Sequence, residues 1–95
     1  MAFKDNMQTL HIIVKGKVQG VFFRASAKDE ALRLRISGWV RNTSEGNVEI
    51  SVTGDREALN KFLNWCKHGP AKARVTEIIC NKTAFQSFAD FKIKP

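Results

Sequence analysis

The sequence predicts an α/β (α+β) sandwich in which two helices pack on one face of a mainly antiparallel sheet. Three observations lead there. Several segments alternate apolar and polar residues with period two, and two others repeat apolar residues at helical spacing. Turn-forming stretches separate them in the order β-α-β-β-α-β, with a short extra C-terminal strand.

Each element has its own justification. Leu10, Ile12 and Val14 alternate with Thr9, His11 and Lys15, as a strand with one buried face requires. After the glycine-bearing stretch GKVQGVFFR (16–24), Phe23, Ala27, Ala31 and Leu34 fall at helical spacing and predict a helix from Phe23 to Arg35. ISGWVRN (36–42) reads as a second strand and NVEISVT (47–53) as a third, with Val48, Ile50 and Val52 on one face. TSEG between them has hairpin chemistry, because Gly46 can take the positive φ that the turn demands. Asp55 suits a helix N-cap, Leu59, Phe62, Leu63 and Cys66 form the apolar stripe of a second helix, and HGP (68–70) stops it. ARVTEIIC (73–80) supplies a fourth strand. FADFKIK (88–94) alternates Ala89, Phe91 and Ile93 with Asp90, Lys92 and Lys94 and predicts a last, short one.

This order is that of the ferredoxin-like βαββαβ sandwich. A βαβ crossover returns the chain in its starting direction, so the first two strands should run parallel and end at the same edge of the sheet. The loop 16–22, the start of the first helix and Asn42 are then expected to be neighbours in space.

Composition narrows the possible partners. A chain of 95 residues fits one domain, read here as residues 9–95 after a flexible N-terminal segment 1–8. Sixteen Lys+Arg against nine Asp+Glu give a formal charge of +7, which favours anions: nucleic acid, acidic membranes or small phosphorylated molecules. MAFKDNMQTL carries Lys4 and Asp5 and lacks the apolar run of a secretory signal, and no later stretch approaches membrane-spanning length. The expectation is a cytoplasmic protein with no membrane partner. Cys66 and Cys80 lie in no CxxC and beside no His pair, so neither a metal site nor a disulfide framework is signalled, and two buried free thiols are expected.

The stretch 16–24 is the strongest candidate for chemistry. Gly16 and Gly20 permit a sharp backbone path on which successive N–H groups can converge on an anion, and the first turn of the following helix adds unpaired donors. Arg24 would add a guanidinium fork that matches phosphate oxygens, while Val18 and Val21 would anchor the loop to the core. The spacing fits neither GxxxxGK[ST] nor GxGxxG, so by itself it suits a plain turn better than an oxyanion cradle. Taken singly, Arg24 also reads as a solvated residue and Asn42 as a turn-former; their expected convergence favours function. His11 and His68 have no matched partner in the sequence and read as solvated or structural. Trp39 and Trp65 read as packing residues, and Lys67 and Lys72 as part of a solvated face.

GKVQGVFFR together with GWVRNTSEGNVEI (38–50) closely resembles the two signatures of the acylphosphatase family. WCKHGPAKARVTEI (65–78) and FADFKI (88–93) are similar to that family's second-helix exit and C-terminal strand, so the likeness runs from Thr9 to Ile93. The resemblance implies hydrolysis of a small-molecule acyl phosphate to a carboxylate and inorganic phosphate (EC 3.6.1.7) by a monomer, without a metal or organic cofactor. It implies that Arg24 binds the substrate phosphate, that Asn42 orients the attacking water, and that the backbone of Gln19, Gly20, Val21, Phe22 and Phe23 forms the phosphate cradle. Glu45 stands where the family's turn often carries Asp, and GPAKARV resembles prokaryotic members. An alternative of another class is a basic ferredoxin-like nucleic-acid-binding module without catalysis. Such modules stack bases on strand aromatics, and NVEISVT has none, so no nucleic-acid partner is expected.

Overall fold

The computed structural model describes residues 7–95. Its elements follow the expected order: β1 (Met7–Lys17), α1 (Phe23–Arg33), β2 (Ser37–Asn42), β3 (Val48–Asp55), α2 (Arg56–Cys66), β4 (Arg74–Thr83) and β5 (Phe91–Ile93). The strands form one sheet in the order β4-β1-β3-β2-β5. All pairs are antiparallel except β2 with β5. Because β1 and β2 each pair antiparallel with β3 between them, they run parallel to one another without touching.

The apolar residues of the strands' inner face, Ile12, Val14, Val40, Val48, Ile50 and Val52, are fully buried. Phe23, Ala27 and Ala31 of α1 and Leu59, Phe62 and Cys66 of α2 complete this core. Burying each larger side chain stabilises the fold by roughly 1.5–3 kcal/mol. Asp55 caps α2 as expected, its side chain accepting from the Ala58 N–H at 2.8 Å.

Four details depart from the sequence reading. The helix α1 ends at Arg33, not Arg35, because Arg35 takes φ 60°. The Ile36 N–H then bonds back to Ala31 O at 2.8 Å and the Arg35 N–H to Leu32 O at 3.2 Å, a Schellman close with arginine in the position glycine usually fills. Of the expected flexible segment 1–8, residues 1–6 lie outside the described residues. Met7 and Gln8 belong to β1, where they face Asp55 and Gly54 of β3. The last strand is cut to Phe91–Ile93, with Phe91 buried and Ala89 and Ile93 exposed. Thr9, placed by alternation on the polar face, is fully buried there. The chain leaving β4 crosses that face: Thr9 Oγ1 lies 2.6 Å from Thr53 Oγ1, and the Gln86 N–H donates to Thr9 Oγ1 at 2.9 Å.

His11 also finds the partner that the sequence did not reveal. Its Nε2 lies 2.7 Å from Glu49 Oε2, while Arg41 Nε donates to Glu49 Oε1 at 2.6 Å. Partial burial opposes ionisation of Glu49, but the hydrogen bonds and charges of His11 and Arg41 outweigh it and hold the carboxyl below its usual range. A carboxyl whose folded pKa is depressed stabilises the fold above its unfolded value, near roughly 4.3, and loses that contribution as pH falls through the folded value. Glu49→Gln is therefore expected to lower stability by about 0.5–1 kcal/mol at neutral pH. The deficit should shrink in strong acid, as read by urea melts of both proteins at pH 7 and pH 3.

Candidate active site

The segment between β1 and α1 is shaped by what lies beneath it. Val18, Val21 and Phe23 are 1%, 4% and 2% exposed, so these three side chains pin the segment to the core. At Gly16 the register of β1 against β4 shifts, and a Cβ there would run into the Arg74 backbone. Further on, Gly20 at φ 74° and Phe22 at φ 66° turn the backbone through left-handed geometry into the helix.

Phe22 is the N-cap of α1, and no side chain caps this helix. No acidic residue occupies its first turn. The first N–H groups of a helix have no partner within it, and aligned peptide dipoles leave that end partly positive. In α2 the same end is closed by Asp55 and offset by Glu57. The start of α1 is left open to an external anion.

Arg24, the second residue of α1, and Asn42, the last of β2, line one cleft of about 350 Å³ together with Gly20, Phe22, Phe23 and Ile93. The expected neighbourhood of loop, helix start and Asn42 is thus present. Among the described residues no carboxylate pairs with Arg24. Asn42 Oδ1 is buried and has no hydrogen-bond partner among them. An unmet buried acceptor costs about 1–3 kcal/mol, so it marks a place where a donor is expected from outside the chain.

Two of the expected cradle residues do not line the cleft with the others. Val21 points into the core, which leaves its backbone as its contribution. Gln19 does more than the sequence suggested. Its side-chain Nε2 donates to both Thr43 O and Asn47 O at 2.8 Å, tying the loop to the β2–β3 hairpin that carries Asn42. That hairpin is itself closed by Thr43 N–H to Asn47 O at 2.9 Å and turned by Gly46 at φ 88°. The only sequence signal for this tie was the expected closeness of loop and hairpin, since an amide side chain in a loop names no partner.

Other sequence candidates stay away from the cleft. His68 is exposed at the end of α2, with Nδ1 3.2 Å from Asn64 O, and Lys67 and Lys72 are exposed. Trp65 packs against Phe23 with ring centroids 5.2 Å apart, and Trp39 lies half-buried under the Lys94 ammonium, 4.3 Å from the ring centroid. Both cysteines are free thiols, but only Cys66 is buried; Cys80, on β4, is half-buried. Burial pushes each thiol up, away from the reactive thiolate. Gly69, just beyond α2, comes so close to Phe23 that a Cβ would lie 2.5 Å from the ring.

A family model, Acylphosphatase, matches residues 10–93. The chain belongs to the acylphosphatase family. An acylphosphatase of Syntrophus aciditrophicus is 44% identical over 88 residues, spanning 92% of each chain. One from Pyrobaculum aerophilum is 46% identical over 91 residues, covering 94% of this chain and 96% of its own. Among solved structures, an acylphosphatase from Coxiella burnetii superimposes with a TM-score of 0.95 at 34% identity, covering 99% of both chains. The acylphosphatase relationship thus extends over strands, helices and cleft alike, with the loop 16–24 and Asn42 inside the matched range.

If Gln19 holds the loop and hairpin in register, Gln19→Ala should lower hydrolytic turnover roughly tenfold while the protein stays folded, since small misplacements of reacting groups are costly. Gln19→Glu would turn a carboxylate toward two carbonyl oxygens. The two carbonyl oxygens favour its protonated form, which regains one donor and is more populated at pH 5 than at pH 8, so its deficit relative to the parent should be smaller at pH 5; turnover measured at both pH values checks this.

Proposed function

We propose that this chain hydrolyses acyl phosphates with Arg24 and the backbone amides of residues 19–23 holding the phosphoryl group and Asn42 orienting the attacking water. Family membership supplies the reaction class. The observation that carries the residue roles is the buried, unpartnered Asn42 Oδ1, in the same cleft as Arg24 at an uncapped helix start.

The chemistry asks for little more. A water oxygen forms a bond to phosphorus, the bond from phosphorus to the acyl oxygen breaks, and a carboxylate leaves with inorganic phosphate as the other product. A carboxylate whose conjugate acid has a pKa near roughly 4 departs at neutral pH without being protonated. No dedicated general acid is required. The phosphoryl oxygens must be balanced in charge and the water placed in line, which is electrostatics and positioning.

Arg24 presents a fork of N–H donors to two phosphoryl oxygens, and the loop amides address the third. Asn42 Oδ1 accepts an O–H of the water and so directs an oxygen lone pair at phosphorus. A carboxamide is a poor base, but a loose, metaphosphate-like transition state draws little proton transfer from the water. The water's protons leave with the phosphate product and the solvent.

We further read the protein as a cytoplasmic monomer of one domain acting on a small molecule, without a nucleic-acid partner. No helix among the described residues is long and apolar enough to cross a membrane. The strand β3 carries no aromatic side chain on which a base could stack.

Arg24→Ala should abolish measurable turnover and weaken inhibition by inorganic phosphate together, by roughly a hundredfold or more in kcat/KM, whereas Asn42→Ala should lose turnover and keep phosphate affinity. Phosphate release from acetyl phosphate, measured with a chelator present, reads both. Near-parental hydrolysis by folded Asn42→Ala would remove that residue from the mechanism, and dependence on added metal would overturn the cofactor-free reading. The +7 charge should also draw the anionic substrate, so kcat/KM should fall as salt rises from 10 mM to about 0.5 M, where screening is short-ranged. An unchanged value would discard steering.

A further inference from the structure

The strand β4 ends the sheet with β1 on one side and no strand on the other. It runs for 10 residues, Arg74–Thr83, and stands first in the order β4-β1-β3-β2-β5. A strand with a single partner turns a row of N–H and C=O groups away from it. Among the described residues, no backbone bond from a turn or loop reaches any residue of β4. At the opposite edge β5 is only 3 residues long, which leaves little to pair with. A long open edge is a template for a further strand, and its side chains decide which strand can join.

Those side chains are basic at both ends of β4, with an exposed isoleucine between. Arg74 lies directly opposite Lys17 of β1, a like-charge pair that costs stability, and the exposed Lys72 precedes it. Lys82 stands exposed near the other end. None of these four cations takes part in an ion pair among the described residues. Glu77 is the one carboxylate on β4, and the register sets it opposite Lys15. Ile79, further along the strand, is 39% exposed.

A second copy of this chain suits that edge poorly. It brings the same uncompensated cations on a protein of charge +7, and charged side chains on an edge are a means of preventing self-pairing. The same cations complement a strand with acidic ends. We infer that β4 is a docking edge for an extended acidic segment of another protein, which adds to the sheet beside β4 with carboxylates near Arg74, Lys17 and Lys82 and an apolar side chain over Ile79. Main-chain bonds hold the added strand, and the end charges select it. None of these residues lines the cleft, so the docking edge does not depend on the acyl-phosphate reading.

The test titrates the synthetic peptide Asp-Glu-Val-Thr-Val-Thr-Val-Glu-Asp into the isotope-labelled full chain at low salt, with hydrogen exchange read at each backbone amide. Amides of β4 should gain protection, and a peptide with lysine in place of every acidic residue should bind roughly tenfold more weakly or worse. Two further versions of the acidic peptide carry N-methyl groups on alternate residues, one in each phase. The version methylated on the side that pairs with β4 should lose binding and the other should keep it, as strand addition requires and mere charge attraction does not. The double variant Arg74→Glu, Lys82→Glu, both at exposed positions, should reverse the preference between the acidic and the basic peptide. Equal binding of the two peptides to the parent, equal binding of the two methylated versions, or an acidic peptide that leaves β4 unprotected would each overturn the proposal, whether or not the double variant folds. Protection of β4 that rises with protein concentration in the absence of peptide would overturn it in favour of a second copy on this edge.

Discussion

The antiparallel pairing of β3 with both β1 and β2 is the constraint on which the site depends. With β3 between them, β1 and β2 point the same way and their C-terminal ends share one edge of the sheet. One end leads into the loop and Arg24, and the other is Asn42. Neither residue is held by a long local motif; the ladders of hydrogen bonds set their separation, and the apolar face of the sheet fixes the register. A slip of one residue in β2 would turn Val40 out of the core and carry Asn42 to the opposite face. Asn42, the residue proposed to orient the water, is therefore placed by the same pairing that buries Val40.

The two helix starts show how a single small scaffold divides stability from function. The start of α2 is closed by Asp55 and carries Glu57, so its donors are satisfied within the chain. The start of α1 carries Phe22, Phe23 and Arg24, which leaves the donors open and adds positive charge near a positive dipole end. That arrangement is unfavourable in the free protein and would become favourable with the phosphoryl group proposed to bind there. The unpartnered Asn42 Oδ1 follows the same logic. Local departures from stabilising rules are concentrated at the cleft, and the buried Val18, Val21 and Phe23 beneath it hold them in place.

Much of the fold was legible because period and punctuation agree. Leu10, Ile12 and Val14 alternate without ambiguity, Asp55 precedes a strong amphipathic stripe, and Gly46 sits where a hairpin must turn. What escaped was tertiary. Thr9 looks solvent-facing by alternation and is buried because Gln86, far along the chain, folds over it. His11 looks unpartnered because Glu49 lies on another strand. At the site, GKVQGVFFR allowed both a turn and a cradle, and the expected convergence with Asn42 favoured the cradle. The Gln19 side-chain tie was not legible, since its acceptors are backbone carbonyls, which any residue supplies.

Gly69, just past the end of the second helix, bears on the cleft through Phe23. Its backbone lies against the ring of Phe23, which opens the first helix and whose ring is braced by Trp65. A side chain at position 69 would have to displace an aromatic group that has nowhere to retreat. Positions 23 and 69, distant in sequence, therefore share one allowance of volume: in descendants of this chain, a larger residue at 69 should be admitted only after residue 23 has become smaller. The history of the segment before the first helix would then be written partly in a residue that lies outside the cleft.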